Sequence, residues 1–210
     1  MAIGESRIRL GILASGSGTN LEAIAQAIND GDVPAEIAIV ISDNPGAFAL
    51  ERAKRRGILY EVVDLADFPD RPSFDSEVLA ALASARVDLV VLAGYMKLVG
   101  KEIIEAFPNR IMNVHPALLP CFPGEHGVPD ALDYGVKVSG VTVHFVDGGL
   151  DTGPIVAQEA VAVEEGDDVE SLHNRIHAAE YRLYPRAIRL FAEGRLVVDG
   201  RRVRVLPGDD

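Results

Sequence analysis

Residues 7–29, RIRLGILASGSGTNLEAIAQAIN, decide the fold of this chain. They begin with Arg7–Ala14, a short run rich in Ile and Leu that is typical of a buried strand. A turn with two glycines follows, after which Asn20–Asn29 places apolar side chains at helical spacing. A strand, a glycine turn and a helix in this order predict the first part of a parallel βαβ unit.

The same alternation of apolar runs and helical stretches continues as far as His115. Further strands are predicted at Ile37–Ile41, Ile58–Val63, Asp88–Ala93 and Arg110–Val114, and helices at Ala47–Arg56, Ser73–Ala85 and Gly100–Phe107. Because these strands are apolar on both faces, they indicate a mostly parallel sheet with helices on both faces. Right-handed crossovers then give an α/β fold with a Rossmann-like open sheet, whose site lies at the carboxyl ends of the strands.

The pattern changes in the second half of the chain. The Pro- and Gly-rich stretch 116–129 is interpreted as an ordered loop. Polar and apolar residues alternate over Val138–Val146, which predicts a strand with one solvated face, and Ile155–Val163 is its expected partner. Val169–Phe191 is predicted as a long amphipathic helix. The two strands predict that the C-terminal part extends the sheet in antiparallel fashion.

Length and composition restrict the class of protein. The 210 residues fit one large domain, which we assign to 1–196, followed by a tail, 197–210, that forms an edge strand or is frayed. The 20 Lys+Arg and 32 Asp+Glu residues give a net charge of −12, which argues against nucleic acid held by many phosphate contacts. No run approaches the roughly 18 apolar residues of a membrane span, and no signal peptide is expected. The single cysteine, Cys121, fits a cytoplasmic location.

The turn Ser15–Asn20, SGSGTN, is a candidate anion site. Glycines let backbone N–H groups approach an anion, and the N-terminus of the following helix adds positive potential. Thr19 and Asn20 could donate from their side chains or cap the helix. Leu21 stands where a dinucleotide fingerprint needs glycine, and the Gly-Lys-Ser/Thr of a Walker loop is missing. The turn therefore favours a phosphomonoester over a ligand-free tight turn.

Three polar residues form a candidate catalytic group. Asn113 and His115 are two apart at the end of a predicted strand, which places them on one face, and Pro116 cannot continue the ladder. An amide beside an imidazole can stabilise an oxyanion and move a proton. Asp151, in a turn before a strand, could orient His115 and raise its pKa by favouring the imidazolium. Taken singly, each residue also fits a turn or a hydrogen-bonded strand end.

Four segments in order carry a family resemblance: SGSGTN at 15–20, LAGYMKLV at 92–99, IMNVHPALLPCFPG at 111–124 and TVHFVDGGLDTGP at 142–154. Together they resemble the glycinamide ribonucleotide formyltransferases, a branch of the folate-dependent formyltransferases. The resemblance implies the formyltransferase fold, with a phosphate-binding N-terminal half and a folate-binding C-terminal half. It implies that 10-formyltetrahydrofolate is the co-substrate and that its formyl group passes to the amine of glycinamide ribonucleotide in purine biosynthesis. It also implies small-molecule substrates, no metal, no nucleic acid or membrane partner, and a monomer or homodimer.

The resemblance also implies roles for single residues. The substrate phosphate would be bound by Gly18, Thr19 and Asn20. The folate would contact residues of three segments, namely Arg71, Met96, Lys97, Leu98, Val99 and Asn113. Asn113 and His115 would stabilise the tetrahedral oxyanion, Asp151 would keep His115 charged, and Glu180 would bind the substrate ribose. For Met96 and Leu98, packing in the core is an equally good interpretation.

Other classes of protein are left open. Methionyl-tRNA formyltransferases, sugar-nucleotide formyltransferases and 10-formyltetrahydrofolate hydrolases resemble the chain in the same trio. The methionyl-tRNA formyltransferases and the hydrolases carry an extra domain, for which we expect no room in 210 residues. The glycine loop argues against a sugar-nucleotide formyltransferase. Outside enzymes, the alternative is a module that binds a phosphorylated metabolite without catalysis. A Cys121–His115 nucleophile pair is a weaker hypothesis. The remaining histidines are interpreted as surface or substrate-proximal residues rather than metal ligands, namely His126, His144, His173 and His177.

Overall fold

The structure is a computed structural model that describes residues 7–208, and it divides into two compact units between Met112 and Asn113. The first unit contains strands β1 (Ile8–Leu13), β2 (Ala35–Ser42), β3 (Tyr60–Val62) and β4 (Leu89–Leu92), helices α1 (Thr19–Asn29), α2 (Phe48–Arg55), α3 (Arg71–Ser84) and α4 (Lys101–Ala106), and a 3-10 turn at Leu65–Asp67. Strand β5 (Ile111–His115) crosses the boundary. The second unit continues with α5 (Gly127–Tyr134), β6 (Val138–Phe145), β7 (Ile155–Ala162), α6 (Val169–Ala192), β8 (Leu196–Asp199) and β9 (Arg202–Val205).

The first unit is a parallel sheet in the order β3-β2-β1-β4. The chain moves outward from β1 to β3 and then returns to the other side of β1, so right-handed crossovers place α1 and α2 on one face and α3 on the other. Gly11 of β1 lies against α3, because a Cβ there would be 2.5 Å from the Leu82 side chain. The predicted α/β class with a mostly parallel sheet is confirmed, and its order reverses at β1, where ligands of open sheets bind.

Apolar periodicity explains why these elements form. Strand β4 is buried along its whole length, and α1 buries Leu21, Ile24 and Ala25 at helical spacing. Removing a Leu, Ile or Val side chain of this kind from water contributes about 1.5–3 kcal/mol. The core of the first unit is therefore the apolar surface that α1, α2 and α3 share with the central strands.

The second unit contains the predicted antiparallel pair and the long helix. Strands β6 and β7 pair in antiparallel register, with Thr142 opposite Gln158. Helix α6 begins with a capping box in which the Asp168 carboxylate accepts from the N–H of Ser171 and the Ser171 hydroxyl accepts from the N–H of Asp168. Its buried face includes Leu172, Ile176 and Leu183.

Two predictions for this unit are wrong. Strand β6 is buried on both faces rather than solvated on one, and two of its polar side chains, Thr142 and His144, find partners inside the protein. Thr142, for example, donates to the carbonyl of Ala117 at 2.7 Å and accepts from the N–H of Leu119 at 3.0 Å. The stretch 116–129 is not all loop, because α5 begins at Gly127 and holds Pro129 in its first turn, where proline is tolerated.

The end of the chain forms a hairpin as far as the structure describes it. Strands β8 and β9 pair in antiparallel register, and β9 lies beside β7 in parallel at Ile155 and Arg202. The expected edge strand is thus two strands, and the first begins at Leu196. The last two residues of the predicted tail lie outside the described residues. The boundary of the domain at 196 stays a prediction.

Candidate active site

The glycine loop between β1 and α1 is the first part of the candidate site. Gly18 has a φ of 70° and occupies the N-cap of α1, so Thr19 and Asn20 are the first residues of the helix and do not cap it. A Cβ at Gly18 would lie 2.8 Å from the Cα of Ala49, so only glycine fits both the conformation and the space. Asn20 is buried and Thr19 is half-buried. The loop thus leads into the N-terminus of an eleven-residue helix whose N-cap residue provides no side-chain hydrogen bond.

The segment after β4 lies beside this loop. The Ser15 N–H donates to the carbonyl of Gly94 at 3.0 Å, and the Ser15 hydroxyl accepts from the N–H of Met96 at 2.8 Å. Met96 is 60% exposed and Leu98 is 69% exposed, which rules out core packing for both side chains. Both side chains follow β4, next to β1, where the strand order reverses and where ligands of open sheets bind. Exposed apolar side chains at this place are available to contact a ligand.

The cations predicted at the folate side have partners within the first unit. Arg71 donates to Asp75 at 2.8 Å and to the carbonyl of Leu98, which joins α3 to the exposed segment. Lys97 is exposed and lies 3.9 Å from the carboxylate of Asp43, while Val99 is half-buried. Arg71 and Lys97 are thus oriented by carboxylates, which reduces the free positive charge they offer to an anion.

A cluster of four side chains lies in the second unit, where β5 and β6 end. The Nδ1 of His115 is 3.4 Å from Oδ2 of Asp151, and the Nε2 of His144 is 3.6 Å from Oδ1 of the same carboxylate. The Nδ2 of Asn113 lies 3.2 Å from the Nε2 of His144. The structure thus brings together the predicted trio and adds His144, which is 2% exposed. Of the two interpretations given to His144, a surface position is therefore wrong, and a position near the substrate stays a prediction. The sequence offered one signal for a role of His144 in the site, namely its position within the TVHFVDGGLDTGP segment that carries the family resemblance.

The hydrogen bonds assign the tautomer of His144. Its Nδ1 lies 2.9 Å from the carbonyl of Phe145, which can only accept, so Nδ1 carries the proton. The Nε2 of a neutral His144 is then an acceptor for the amide N–H of Asn113. This contact fixes the rotation of the Asn113 amide, whose remaining N–H is available to an incoming group.

The loop before α5 holds the other side of the cluster. The carbonyl of Phe122 lies 2.7 Å from Nε2 of His115, and the N–H of Gly124 donates to Asp151 at 2.7 Å. A side chain at Gly127 would be 3.2 Å from the His115 ring, so the backbone lies directly on the imidazole. Phe122 and Asp151 have φ values of 53° and 52°, a conformation that costs about 1–3 kcal/mol outside glycine and clusters at functional sites.

Burial and charge act in opposite directions on the pKa of His115. Burial has the largest effect and lowers the pKa, the Asp151 carboxylate and the Phe122 carbonyl raise it, and His144 lowers it again. The net shift is downward, because burial outweighs the raising effect of the Asp151 carboxylate that the sequence predicts. The role of Asp151 toward the charge of His115 stays a prediction. Burial alone would raise the pKa of Asp151, but the neighbouring His144 ring, the hydrogen bond from the N–H of Gly124 and the His115 ring lower it overall.

We expect the imidazole of His115 to titrate below its ordinary pKa of 6.5 in the folded protein. The unfolded chain then binds this proton at higher pH than the folded chain does. The free energy of unfolding should therefore decrease as the pH falls from neutral through 6.5 to the folded pKa of His115, and His115→Gln should reduce this decrease. NMR titration of the imidazole, assigned with the same variant, gives the pKa directly. A value above 6.5 in the wild type would contradict the expectation.

The remaining candidates in the second unit differ in burial, because Glu180 is buried and Cys121 is exposed. Glu180 is 4% exposed on α6, and its carboxylate is 4.0 Å from Nε2 of His177. The His177 ring stacks with Tyr181 and lies 4.1 Å from the His173 ring, centroid to centroid. Cys121 is exposed, and within the described residues the nitrogens of His115 face Phe122 and Asp151 instead of the thiol. The structure thus gives no support to the cysteine nucleophile.

Two features are absent from the described residues 7–208. Among these residues, no group of three or more His, Cys, Asp or Glu side chains is arranged to hold a metal ion. Within the same range, no helix has the length and apolar character needed to cross a membrane.

The cluster combines three chemical groups, namely a neutral imidazole, an oriented amide and a half-buried carboxylate. A neutral imidazole can accept a proton, and the carboxylate stabilises the imidazolium that results. The amide N–H can stabilise negative charge that develops on an oxygen. This set is suited to an acyl or formyl transfer through a tetrahedral intermediate, in which a proton leaves the nucleophile while an oxyanion forms.

Comparison with known proteins agrees with this chemistry. The family model described as formyl transferase matches residues 8–188, and the chain therefore belongs to the formyl transferase family. A phosphoribosylglycinamide formyltransferase of Mycobacterium tuberculosis is 47% identical over 193 residues, which cover 92% of this chain and 89% of that protein. The crystal structure of glycinamide ribonucleotide transformylase 1 from Symbiobacterium toebii is 55% identical, with a TM-score of 0.95 over 96% of this chain and 95% of that one.

Longer relatives contain a similar segment. The chain is 44% identical to the trifunctional purine biosynthetic protein adenosine-3 of Drosophila pseudoobscura over 92% of its residues, but it spans only 14% of that protein's length. The predicted family resemblance is confirmed by these matches.

Proposed function

We propose that the chain transfers the formyl group of 10-formyltetrahydrofolate to the amine of 5'-phosphoribosylglycinamide, which gives formylglycinamide ribonucleotide and tetrahydrofolate in purine biosynthesis. The observation that carries the proposal is the similarity, along nearly the whole length of both chains, to proteins named for this activity. The cluster of Asn113, His115, His144 and Asp151 supplies groups that such a reaction needs.

The reaction that we propose begins with attack of the amine nitrogen on the formyl carbon. The carbonyl oxygen becomes an oxyanion, and the Asn113 amide and the His115 ring stabilise it. The amine loses a proton to Nε2 of His115, whose ring is neutral beforehand because its pKa is lowered. To accept this proton, Nε2 moves away from the Phe122 carbonyl while the ring keeps its own proton on Nδ1 beside Asp151, whose carboxylate stabilises the imidazolium that forms. Collapse of the intermediate breaks the bond to the folate nitrogen, which takes up the proton held by His115 and so restores the neutral imidazole. No covalent bond to the enzyme is formed.

The binding roles that the sequence suggests belong to the same proposal. Gly18, Thr19 and Asn20 bind the phosphate through backbone N–H groups at the start of α1, and the Glu180 carboxylate binds the ribose. The proposed folate contacts are six residues, namely Arg71, Met96, Lys97, Leu98, Val99 and Asn113. The exposure of Met96 and Leu98 supports this role for them.

The partners that we propose are these small molecules alone, with a monomer or homodimer in the cytoplasm. The net charge of −12 repels both anionic substrates at long range, so their capture depends on local donors such as the helix N-terminus.

An assay with both substrates tests the proposal and separates it from its alternatives. Purified protein, 10-formyltetrahydrofolate and glycinamide ribonucleotide should give the formylated ribonucleotide, detected by mass spectrometry. Formate released without an amine acceptor would indicate a hydrolase instead, and product from an amino sugar nucleotide or from methionyl-tRNA would indicate the corresponding formyltransferase. Binding of both ligands without any turnover would favour the non-catalytic module.

A further inference from the structure

Three consecutive carbonyl groups of the glycine loop accept hydrogen bonds from one short segment, residues 44–52. The pairs are the Asn44 side-chain amide with the carbonyl of Ser15 at 3.1 Å, the N–H of Ala49 with the carbonyl of Gly16 at 3.1 Å, and Nε of Arg52 with the carbonyl of Ser17 at 2.9 Å. Such a run fixes the orientation of three peptide planes in a row.

The orientation of these planes determines where the N–H groups of the loop point. In a trans peptide the C=O and the following N–H point in opposite directions, so the N–H groups of Gly16, Ser17 and Gly18 are directed away from segment 44–52. We infer that Arg52 and Asn44 are positioning residues of the phosphate site. Arg52 fixes the peptide plane that carries the N–H of Gly18, a proposed phosphate donor, and Asn44 fixes the first peptide plane of the same loop. The inference rests on the proposed function, since it concerns the loop to which we assign the phosphate.

Arg52 is held rigidly enough for this role. Its guanidinium lies 5.0 Å from the centroid of the Phe48 ring, and its Nη1 is 3.4 Å from the carboxylate of Glu22 on α1. Only 24% of the side chain is exposed. Glu22 also pairs with Arg56 and neutralises part of the local charge, so the direction of the Arg52 Nε–H bond matters more than its charge.

The Asn44 amide is oriented in the same way. Its Oδ1 accepts from the N–H of Gly46 at 2.9 Å, which leaves the NH₂ group for the carbonyl of Ser15. The N–H of Asn44 donates to the hydroxyl of Ser42, a fully buried residue at the end of β2. The loop is therefore oriented from the end of β2 on one side and from the first turns of α2 on the other.

The decisive variant is Arg52→Lys, which keeps a positive charge but lacks the planar Nε–H donor. We expect the KM for glycinamide ribonucleotide to rise about tenfold, as for loss of one charge-assisted hydrogen bond, with kcat and the KM for the folate unchanged. Arg55→Lys is the matched control, because Arg55 lies on the same helix, 5.3 Å from the same Phe48 ring, and should leave all three constants unchanged. Asn44→Ala should reproduce the selective rise in KM.

Three outcomes would overturn the inference. One is an unchanged KM for the ribonucleotide in Arg52→Lys, and another is an equal rise in both KM values with a lower Tm, which indicates a purely structural role. The third concerns inorganic phosphate, whose binding is measured by calorimetry and needs no turnover. Equal affinities of Arg52→Lys and Arg55→Lys for inorganic phosphate would overturn the inference. If the wild type fails to transfer formyl groups, the proposed function fails, but the inference still requires Arg52→Lys to bind phosphate more weakly than Arg55→Lys does.

Discussion

Replacing Asn113 by alanine should lower kcat for formyl transfer about 10²–10³-fold, the usual cost of losing one donor to an oxyanion. The amide is oriented by its contact with Nε2 of His144 at 3.2 Å, so its remaining N–H is fixed before the substrate binds. A donor that needs no reorganisation acts mainly in the transition state. The effect should therefore fall mainly on kcat, with a smaller rise in the KM for the folate, which Asn113 also contacts, and no change in the KM for the ribonucleotide.

The comparison for this variant is Asn174→Ala, which makes the same change at an exposed position of α6. Steady-state kinetics of both variants, with Tm as a check on folding, distinguish a catalytic effect from general damage. If Asn113→Ala kept the wild-type kcat while remaining folded, the oxyanion role of Asn113 would be wrong.

The sequence contains enough information for the order of elements but not for every buried contact. The apolar runs of β1 and β4 and the period of α1 depend on local pattern, which the sequence shows directly. The two-residue spacing of Asn113 and His115 likewise predicts a shared face at the end of a strand.

His144 illustrates what the pattern leaves out. Polar residues that alternate with apolar ones have the same spacing whether they face water or are paired inside the protein. His144 is buried because groups at three sequence positions, the Asn113 amide, the Phe145 carbonyl and the Asp151 carboxylate, surround its ring. Only the packed structure shows that these groups meet.

The protonation of His115 could not be predicted for a related reason. The sequence shows that a carboxylate is available, which suggests a raised pKa. The opposing effect, burial of the imidazole against the backbone near Phe122 and Gly127, depends on packing and is the larger of the two. The sign of the shift therefore follows from geometry.

Asp151→Asn should lower kcat about 10²-fold, within the usual range for general acid–base catalysis. Asparagine tolerates the left-handed conformation of this residue, and its oxygen can still accept from the N–H of Gly124, so the loop should keep its shape. What the variant loses is the negative charge beside His115 and His144, at 3.4 and 3.6 Å. Without that charge the imidazolium formed during the reaction is less stable, and the pKa of His115 should fall further.

The matched control is Asp147→Asn, a neighbour whose carboxylate accepts from Gly149 and Thr152 and should retain both bonds as an amide. Kinetics and NMR titration of His115 should be measured on the two variants together. A lower kcat with a lower pKa in Asp151→Asn alone would show that the charge supports proton transfer. A lower kcat with an unchanged pKa would contradict this, because the carboxylate would then act through position and not through its charge on His115.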